Sequence, residues 1–271
     1  MLRFRNRVAL LDVRSDEFLN TLVQLGGYCT VGQAKRLGIA SSDTRVLAHL
    51  RALEENGFLR KVSAYPVVYQ VTKAATRLGA MDRRARRPHN PNTVLNRLLT
   101  VDFYLEGCGW PAEFVFEHER KILLLIERGC PLSAIPHRGG RPYLWEEFFL
   151  RVGDGTIDVA LVDDQQRSPF LQSKTLVQRF ATAVRFLPRY SSLLIITGSA
   201  ARQKRYEQVL SHPDLATAQT RAAISIEPYR IEPSTKVFAL ADLATIQKHQ
   251  QTSTRDSRRS PGWTANLATI Q

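Results

Sequence analysis

Cysteine is scarce in this chain. Cys29, Cys108 and Cys130 are the only three, an odd number without C-x-x-C spacing, which argues against both a disulfide framework and a zinc site. Long apolar runs are also missing: no segment approaches the roughly 20 apolar residues that a membrane span needs. The opening stretch "MLRFRNRVALLDVRSDEF" carries arginines, but Asp12 breaks its apolar run too soon for a signal peptide. A reduced, cytoplasmic protein without a membrane partner is the expectation. Acidic residues are in deficit, 25 Asp and Glu against 38 Lys and Arg, for a net charge of +13 and a pI near 10.1. Such an excess favours a polyanionic partner, and nucleic acid or an acidic membrane surface would satisfy it equally. Residues 1–90 hold 16 basic and 7 acidic side chains, or +9, leaving +4 for the other 181. At 271 residues the chain is long enough for two domains, each with its own core.

From Asp16 the pattern reads as three helices and a hairpin. Phe18, Leu19, Leu22, Val23 and Leu25 form one amphipathic stripe, stopped by Gly26-Gly27. Thr30 is a cap for a short helix, "VGQAKRLG", and Ser41 or Ser42 caps a third that turns Val46, Leu47, Leu50 and Leu53 inward and ends at Asn56-Gly57. "FLRKVSA" and "VVYQVT" are β-prone runs joined through Tyr65-Pro66, and "KAATRLGA" follows as a fourth helix capped by Thr72. This is the order of a winged helix-turn-helix domain. In that arrangement the amino end of the third helix faces the major groove of double-stranded DNA, with Ser42, Thr44, Arg45 and His49 as candidate contacts and Arg60 and Lys61 at the base of the wing. The same fold also serves as a protein-interaction module, and His49 fits a packing role as well as a contact.

"MDRRARRPHNPNTV" follows, with Arg83, Arg84, Arg86 and Arg87 within five residues and then two prolines. It reads as a linker, either an arm that tracks phosphates or a solvated joint. Val94, Leu95, Leu98, Leu99, Phe103 and Tyr104 beyond it have helical spacing and fit a helix packed between two domains.

From Pro111 the texture changes to strands. "AEFVFEHE" and "KILLLIER" are β-prone, "YLWEEFFLRVGDGTIDVALVDD" reads as two strands around a Gly-Asp-Gly turn, and "SSLLIITGS" as a strand covered on both faces. With the helical "SPFLQSKTLVQRFATAVRFL" between them, the region reads as an α/β sheet. Asp158 followed by Gln172-Ser173-Lys174, with Glu119 or Glu147 as a further carboxylate, has the residue order of a Mg²⁺-dependent endonuclease. Against that, Ser168-Pro169 is a strong helix opening. A helix from Pro169 turns Gln172 and Lys174 to different sides, so the expectation is no catalytic set, no metal and no cofactor, with Mg²⁺ implied only by the nuclease alternative. Arg202, Lys204 and Arg205 in "AARQKRYEQVLSH" form a candidate basic patch or an ordinary solvated face.

The arrangement over residues 16–210 resembles the replication-relaxation type proteins of plasmids and other bacterial mobile elements. The resemblance is carried by "YQVTKAATRLGA" after the wing, by "HNPNTVLNRLLTVDFYL", and by "DVALVDDQQRSPFLQSKTLVQRFATAVRFL" before "LLIITGS". It implies a restriction-endonuclease-like second domain and a function in plasmid replication, transfer, recombination or its transcriptional control. His137 stands where that fold would have an Asp, and Ala160 where it would have a Lys, which implies a domain kept for dimerisation or for binding a recombinase, relaxase or replication protein. The expected organisation is a winged helix over 1–81, a basic linker over 82–92, an α/β domain over 93–246 and a polar, disordered tail over 247–271. The tail holds Arg255, Arg258 and Arg259 as a weak DNA clamp, and "LATIQ" occurs at 243–247 and again at 267–271.

Overall fold

Asp12 caps the helix that follows it by accepting a hydrogen bond from the Ser15 amide at 2.6 Å, which satisfies one of the open donors of that helix's first turn. The computed structural model describes residues 6, 8–64, 66–78, 91–107, 113–115, 117–144, 148–163, 167–188, 191–222 and 226–231. Arg83, Arg84, Arg86, Arg87, Cys108, Glu147 and the tail from 247 lie outside the described residues. The protein is α+β, and among the described residues no helix is long and apolar enough to cross a membrane.

Because Asp12 caps it, helix α1 (Val13–Gln24) starts earlier than the apolar stripe alone predicts; it buries Phe18, Leu19, Leu22 and Val23. A strand absent from the sequence reading, β1 (Tyr28–Thr30), comes next. Gly27 before it has φ +83°, and a Cβ there would meet the Val71 Cγ2 at 2.5 Å, so only glycine fits this turn. Helix α2 (Val31–Arg36) opens with the reciprocal Thr30–Gln33 capping box. Helix α3 (Asp43–Glu55) runs from Ser42 to Asn56 and buries Val46, Leu50 and Leu53. Strands β2 (Leu59–Ala64) and β3 (Val67–Val71) form the expected hairpin, and β1 adds to β3 to give the antiparallel order β1-β3-β2. Helix α4 (Lys73–Leu78) follows Thr72, whose hydroxyl accepts from the Ala74 amide and donates to the Gly57 carbonyl.

Helix α5 (Pro91–Gly107) joins this layer to the rest. Val101 and Leu105 complete the core formed by α1, α3 and the small sheet. Leu99 and Phe103 enter a second cluster with Phe149, Ala160, Val162, Leu194 and Ile196. At 3.6 residues per turn the two pairs point about 160° apart, so one helix serves two cores. Gln33 Nε2 on α2 also donates to the Leu98 carbonyl of α5 at 2.8 Å.

The second sheet is built from β4 (Glu113–Val115), β7 (Phe148–Gly153), β8 (Thr156–Val162), β9 (Leu193–Thr197) and β10 (Ile226–Arg230), and a short hairpin, β5 (His137–Arg138) with β6 (Arg141–Pro142), lies between β4 and β7 in sequence. The strand order is β10-β9-β8-β7-β4. The β4, β7 and β8 pairings are antiparallel, and β8, β9 and β10 run parallel. The "KILLLIER" run is not a strand: it lies in helix α6 (His118–Glu127), because Lys121, Leu124 and Leu125 recur at helical spacing on one buried side. Helix α7 (Pro169–Phe180) starts at the predicted Ser-Pro opening but stops sooner than expected, giving way to a short 3-10 turn at Ala183–Phe186. Helices α8 (Ala200–Leu210) and α9 (Pro213–Ala222) lead to β10; neither α9 nor β10 was apparent from sequence pattern.

Strand alternation divides the sheet cleanly. Leu150, Ile157, Val159, Leu161, Leu193 and Ile195 face α6, α7 and α8, while Phe149, Ala160, Val162, Leu194 and Ile196 face α5. Gly107 lets Phe114 of β4 lie against the end of α5, where a Cβ would come within 2.3 Å of its ring. If α5 binds the two cores into one cooperative unit, Phe103→Ala should lower unfolding free energy by about 3–5 kcal/mol in a single urea transition. Two separated transitions, or a loss below about 1 kcal/mol, would contradict that role.

Candidate nucleic-acid interface

Three inward side chains, Val46, Leu50 and Leu53, fix the roll of α3 and therefore which residues look outward. Besides Asp43 in the first turn, the exposed positions are Thr44, Arg45, Ala48, Arg51, Ala52 and Glu55. At 100° per residue they form one stripe, with cations at Arg45 and Arg51 and the small Ala48 and Ala52 in the middle. Ser42 is exposed at the amino end, and its Oγ accepts from the Arg45 amide at 3.4 Å, so the hydroxyl is partly used as a cap. Asp43 is tied to Lys35 of α2 at 2.8 Å, an exposed pair of little stabilising value, which takes that carboxylate away from the arginines.

The other expected contacts differ in availability. His49 is half-buried at the edge of the stripe, within electrostatic reach of Asp12. The Asp12 carboxyl is held below its ordinary range, chiefly by the Ser15 amide and, to a smaller degree, by His49 and Arg14. Arg60 does not project freely from the hairpin: its Nε and Nη2 donate to Gln70 Oε1 at 2.9 and 2.6 Å, across the register pair Arg60↔Gln70. Lys61 is exposed, and its amide donates to Glu54 Oε1 at 3.1 Å, which anchors the hairpin to α3. Ser42, Thr44, Arg45 and Lys61 are therefore accessible together on the α3 and hairpin side. Arg51, Ala48 and Ala52 belong to the same face although the sequence reading passed over them; stepping from Arg45 by three and four residues would have found them.

In the second sheet, Asp158, Gln172 and Lys174 do not form one site. Asp158 accepts from Arg151 Nε and Nη2 at 3.1 and 2.7 Å and from the Ser192 amide at 3.1 Å, on the α5 side of β8. Gln172 is buried on the opposite side and donates to Asp163, five residues along and so about 16 Å away at about 3.3 Å per strand residue. Lys174 is exposed on α7. Among the described residues no group of three or more His, Cys, Asp or Glu side chains is placed to hold a metal ion.

Asp163 is the centre of a cluster that the sequence reading missed. Only 2% exposed at the carboxyl end of β8, it receives Arg202 Nε at 2.8 Å, Arg202 Nη2 at 2.5 Å, the Tyr206 hydroxyl at 2.6 Å and Gln172 Nε2 at 3.0 Å. The hydrogen bond to Asp163 raises the affinity of Arg202 for its proton, and burial followed by the Asp163 charge pushes the Tyr206 phenol up. Arg202 is consequently not part of a surface patch with Lys204 and Arg205; those two remain exposed on α8. The i, i+4 spacing of Arg202 and Tyr206 is the one sequence signal of this cluster.

The Asp163 cluster clamps the first turns of α7 and α8 together. Arg202→Met should cost about 3–5 kcal/mol, since it leaves a buried carboxylate without its counter-charge, and adding Asp163→Asn should restore much of the loss. A single variant as stable as the parent in urea unfolding would show that the pair is not the clamp. No protein-family model, curated protein or solved structure matches the chain.

Proposed function

We propose that this protein is a sequence-specific double-stranded DNA-binding protein whose N-terminal layer is a winged helix-turn-helix. The observation that carries the reading is the outward stripe of α3, where Arg45 and Arg51 flank Ala48 and Ala52 and no buried contact claims the face. Small side chains allow a helix to sit deep in a major groove, alanine methyls suit thymine methyls, and an arginine fork suits the guanine edge. The net +9 of residues 1–90 adds a sequence-independent attraction to phosphates. Lys61 on the hairpin then serves as a backbone contact, while Arg60 stiffens the wing through Gln70.

The larger sheet, with its antiparallel β4, β7 and β8 continued by parallel β9 and β10, supports a restriction-endonuclease-like reading of the second layer. Asp158 is occupied by Arg151 there, which favours a binding over a cleaving role. The resemblance noted from sequence suggests the replication, transfer or recombination of a mobile element, or its transcriptional control, with the second layer serving assembly or partner binding.

Arg45→Ala and Arg51→Ala should each weaken binding to a preferred duplex by about 1–3 kcal/mol, or roughly 5- to 150-fold, with a much smaller effect on random duplex. Fluorescence anisotropy on the two duplexes at one salt concentration measures this. Equal losses on both would remove the base-reading role, and Mg²⁺-dependent fragments that vanish in Asp158→Ala would turn the reading toward a nuclease.

A further inference from the structure

Positive charge is gathered in a second block that the N-terminal count does not show. Residues 167–211 contain eight Lys and Arg and a single acidic residue, Glu207. The preceding residues 91–166 contain seven basic and twelve acidic side chains, so the basic block adjoins an acidic one and is not a diffuse property of the chain. In space, helices α7 and α8 of this block flank strand β9 and pack on the large sheet. Helices α7 and α8 turn Leu176, Val177, Phe180 and Tyr206 toward the strands, and Arg167, Lys174, Arg185, Lys204 and Arg205 are exposed.

Two further features make this surface anion-seeking. Asp163, beneath the two helices, is sequestered by Arg202, Tyr206 and Gln172, so it does not offset the exposed cations, which leaves Glu207 on α8 as the acidic residue of the block; Asp164 lies outside the described residues. The same cluster draws the amino ends of α7 and α8 together, because Gln172 Nε2 and Arg202 Nη2 both also donate to the Arg167 carbonyl, at 3.4 and 3.3 Å. Neither N-cap serine, Ser168 or Ser199, uses its side chain to cap its helix. The partial positive ends of both helices therefore add to the field around Arg167.

We infer that the outer face of α7 and α8 is a second duplex-binding surface that holds the phosphate backbone, separate from the base-reading face of α3. The inference rests on the DNA-binding reading above and extends it: one chain grips duplex DNA at two places, with sequence discrimination at α3 and salt-sensitive, sequence-independent affinity at α7 and α8. Exposed Lys and Arg suit phosphate oxygens, which require charge more than fixed geometry.

The test compares the full chain with the combined variant Arg167→Ala, Lys174→Ala, Lys204→Ala, Arg205→Ala on random duplex across a salt series. Each lost phosphate contact makes the slope of log affinity against log salt shallower by about 0.9. The variant should therefore lose about 2 to 4 units of slope and on the order of 10-fold or more in affinity, while its preference for a selected site over random duplex is kept. Lysine at positions 167 and 205, in Arg167→Lys with Arg205→Lys, should preserve the slope. An unchanged slope in a combined variant with the parent's circular dichroism and unfolding midpoint overturns the inference, and so does loss of site preference in step with affinity. Co-sedimentation of the parent with phosphatidylserine vesicles, abolished in the combined variant while duplex binding persists, assigns the face to lipid and overturns it as well. If the parent discriminates sites and only the slope fails to respond, this inference falls and the α3 reading stands; if the parent binds no duplex at low salt, both fall.

Discussion

Helix α5 is shared by two hydrophobic cores. Val101 and Leu105 are needed by the small three-stranded layer, and Leu99 and Phe103 by the five-stranded one. A helix apolar on opposite sides has no solvated face to spare along that length, and Leu98, Leu99, Val101, Phe103 and Leu105 are all buried. Asp102 is buried as well, with Arg36 of α2 at 3.9 Å. Residues Met1–Lys236 accordingly form one compact unit, and the orientation of α3 is tied through α2 and α5 to the large sheet. A change in packing against Phe103 is felt on both sides of the helix, because close-packed cores transmit small displacements rather than absorb them.

That coupling gives the distribution of charge a structural meaning. The exposed stripe of α3 and the outer face of α7 and α8 are held on a common framework, and beside each a carboxylate is engaged by a cation in a different way. On α2 and α3, Lys35 occupies Asp43. Beneath α7 and α8, Arg202 and its neighbours occupy Asp163. The first is an exposed pair of small worth and the second a buried pair whose partners cannot be separated cheaply. The second therefore also organises local structure, since it joins the first turns of two helices to the end of a strand.

Much of the local architecture was legible in the residues. Thr30 with Gln33, Ser42 with Asn56-Gly57, and Ser168-Pro169 are helix boundary signals that act within a few positions, and the Gly153-Asp154-Gly155 turn sets its own hairpin. What escaped depends on partners distant in sequence. β1 is three residues long and exists because β3, some 40 residues later, pairs with it through Cys29↔Tyr69. "KILLLIER" is a continuous apolar run that suits a strand as well as a helix, and only burial of Lys121, Leu124 and Leu125 on one side decides between them. Arg202, Lys204 and Arg205 look alike in sequence; the one that turns inward is chosen by Asp163, 39 positions earlier. At the candidate interface, Ser42, Thr44 and Arg45 were readable from the helix boundary, whereas the engagement of Arg60 by Gln70 required the hairpin register.

The measurement that bears most directly on the central claim is selection of bound duplexes by the full chain from a random-sequence library at near-physiological salt, followed by sequencing over successive rounds. A stripe such as that of α3 predicts convergence on a short motif, with discrimination of at least about 10³ over random duplex, as specific DNA-binding proteins show. A library that remains random after several rounds, while the chain retains duplex only through charge, would contradict a base-reading role for α3.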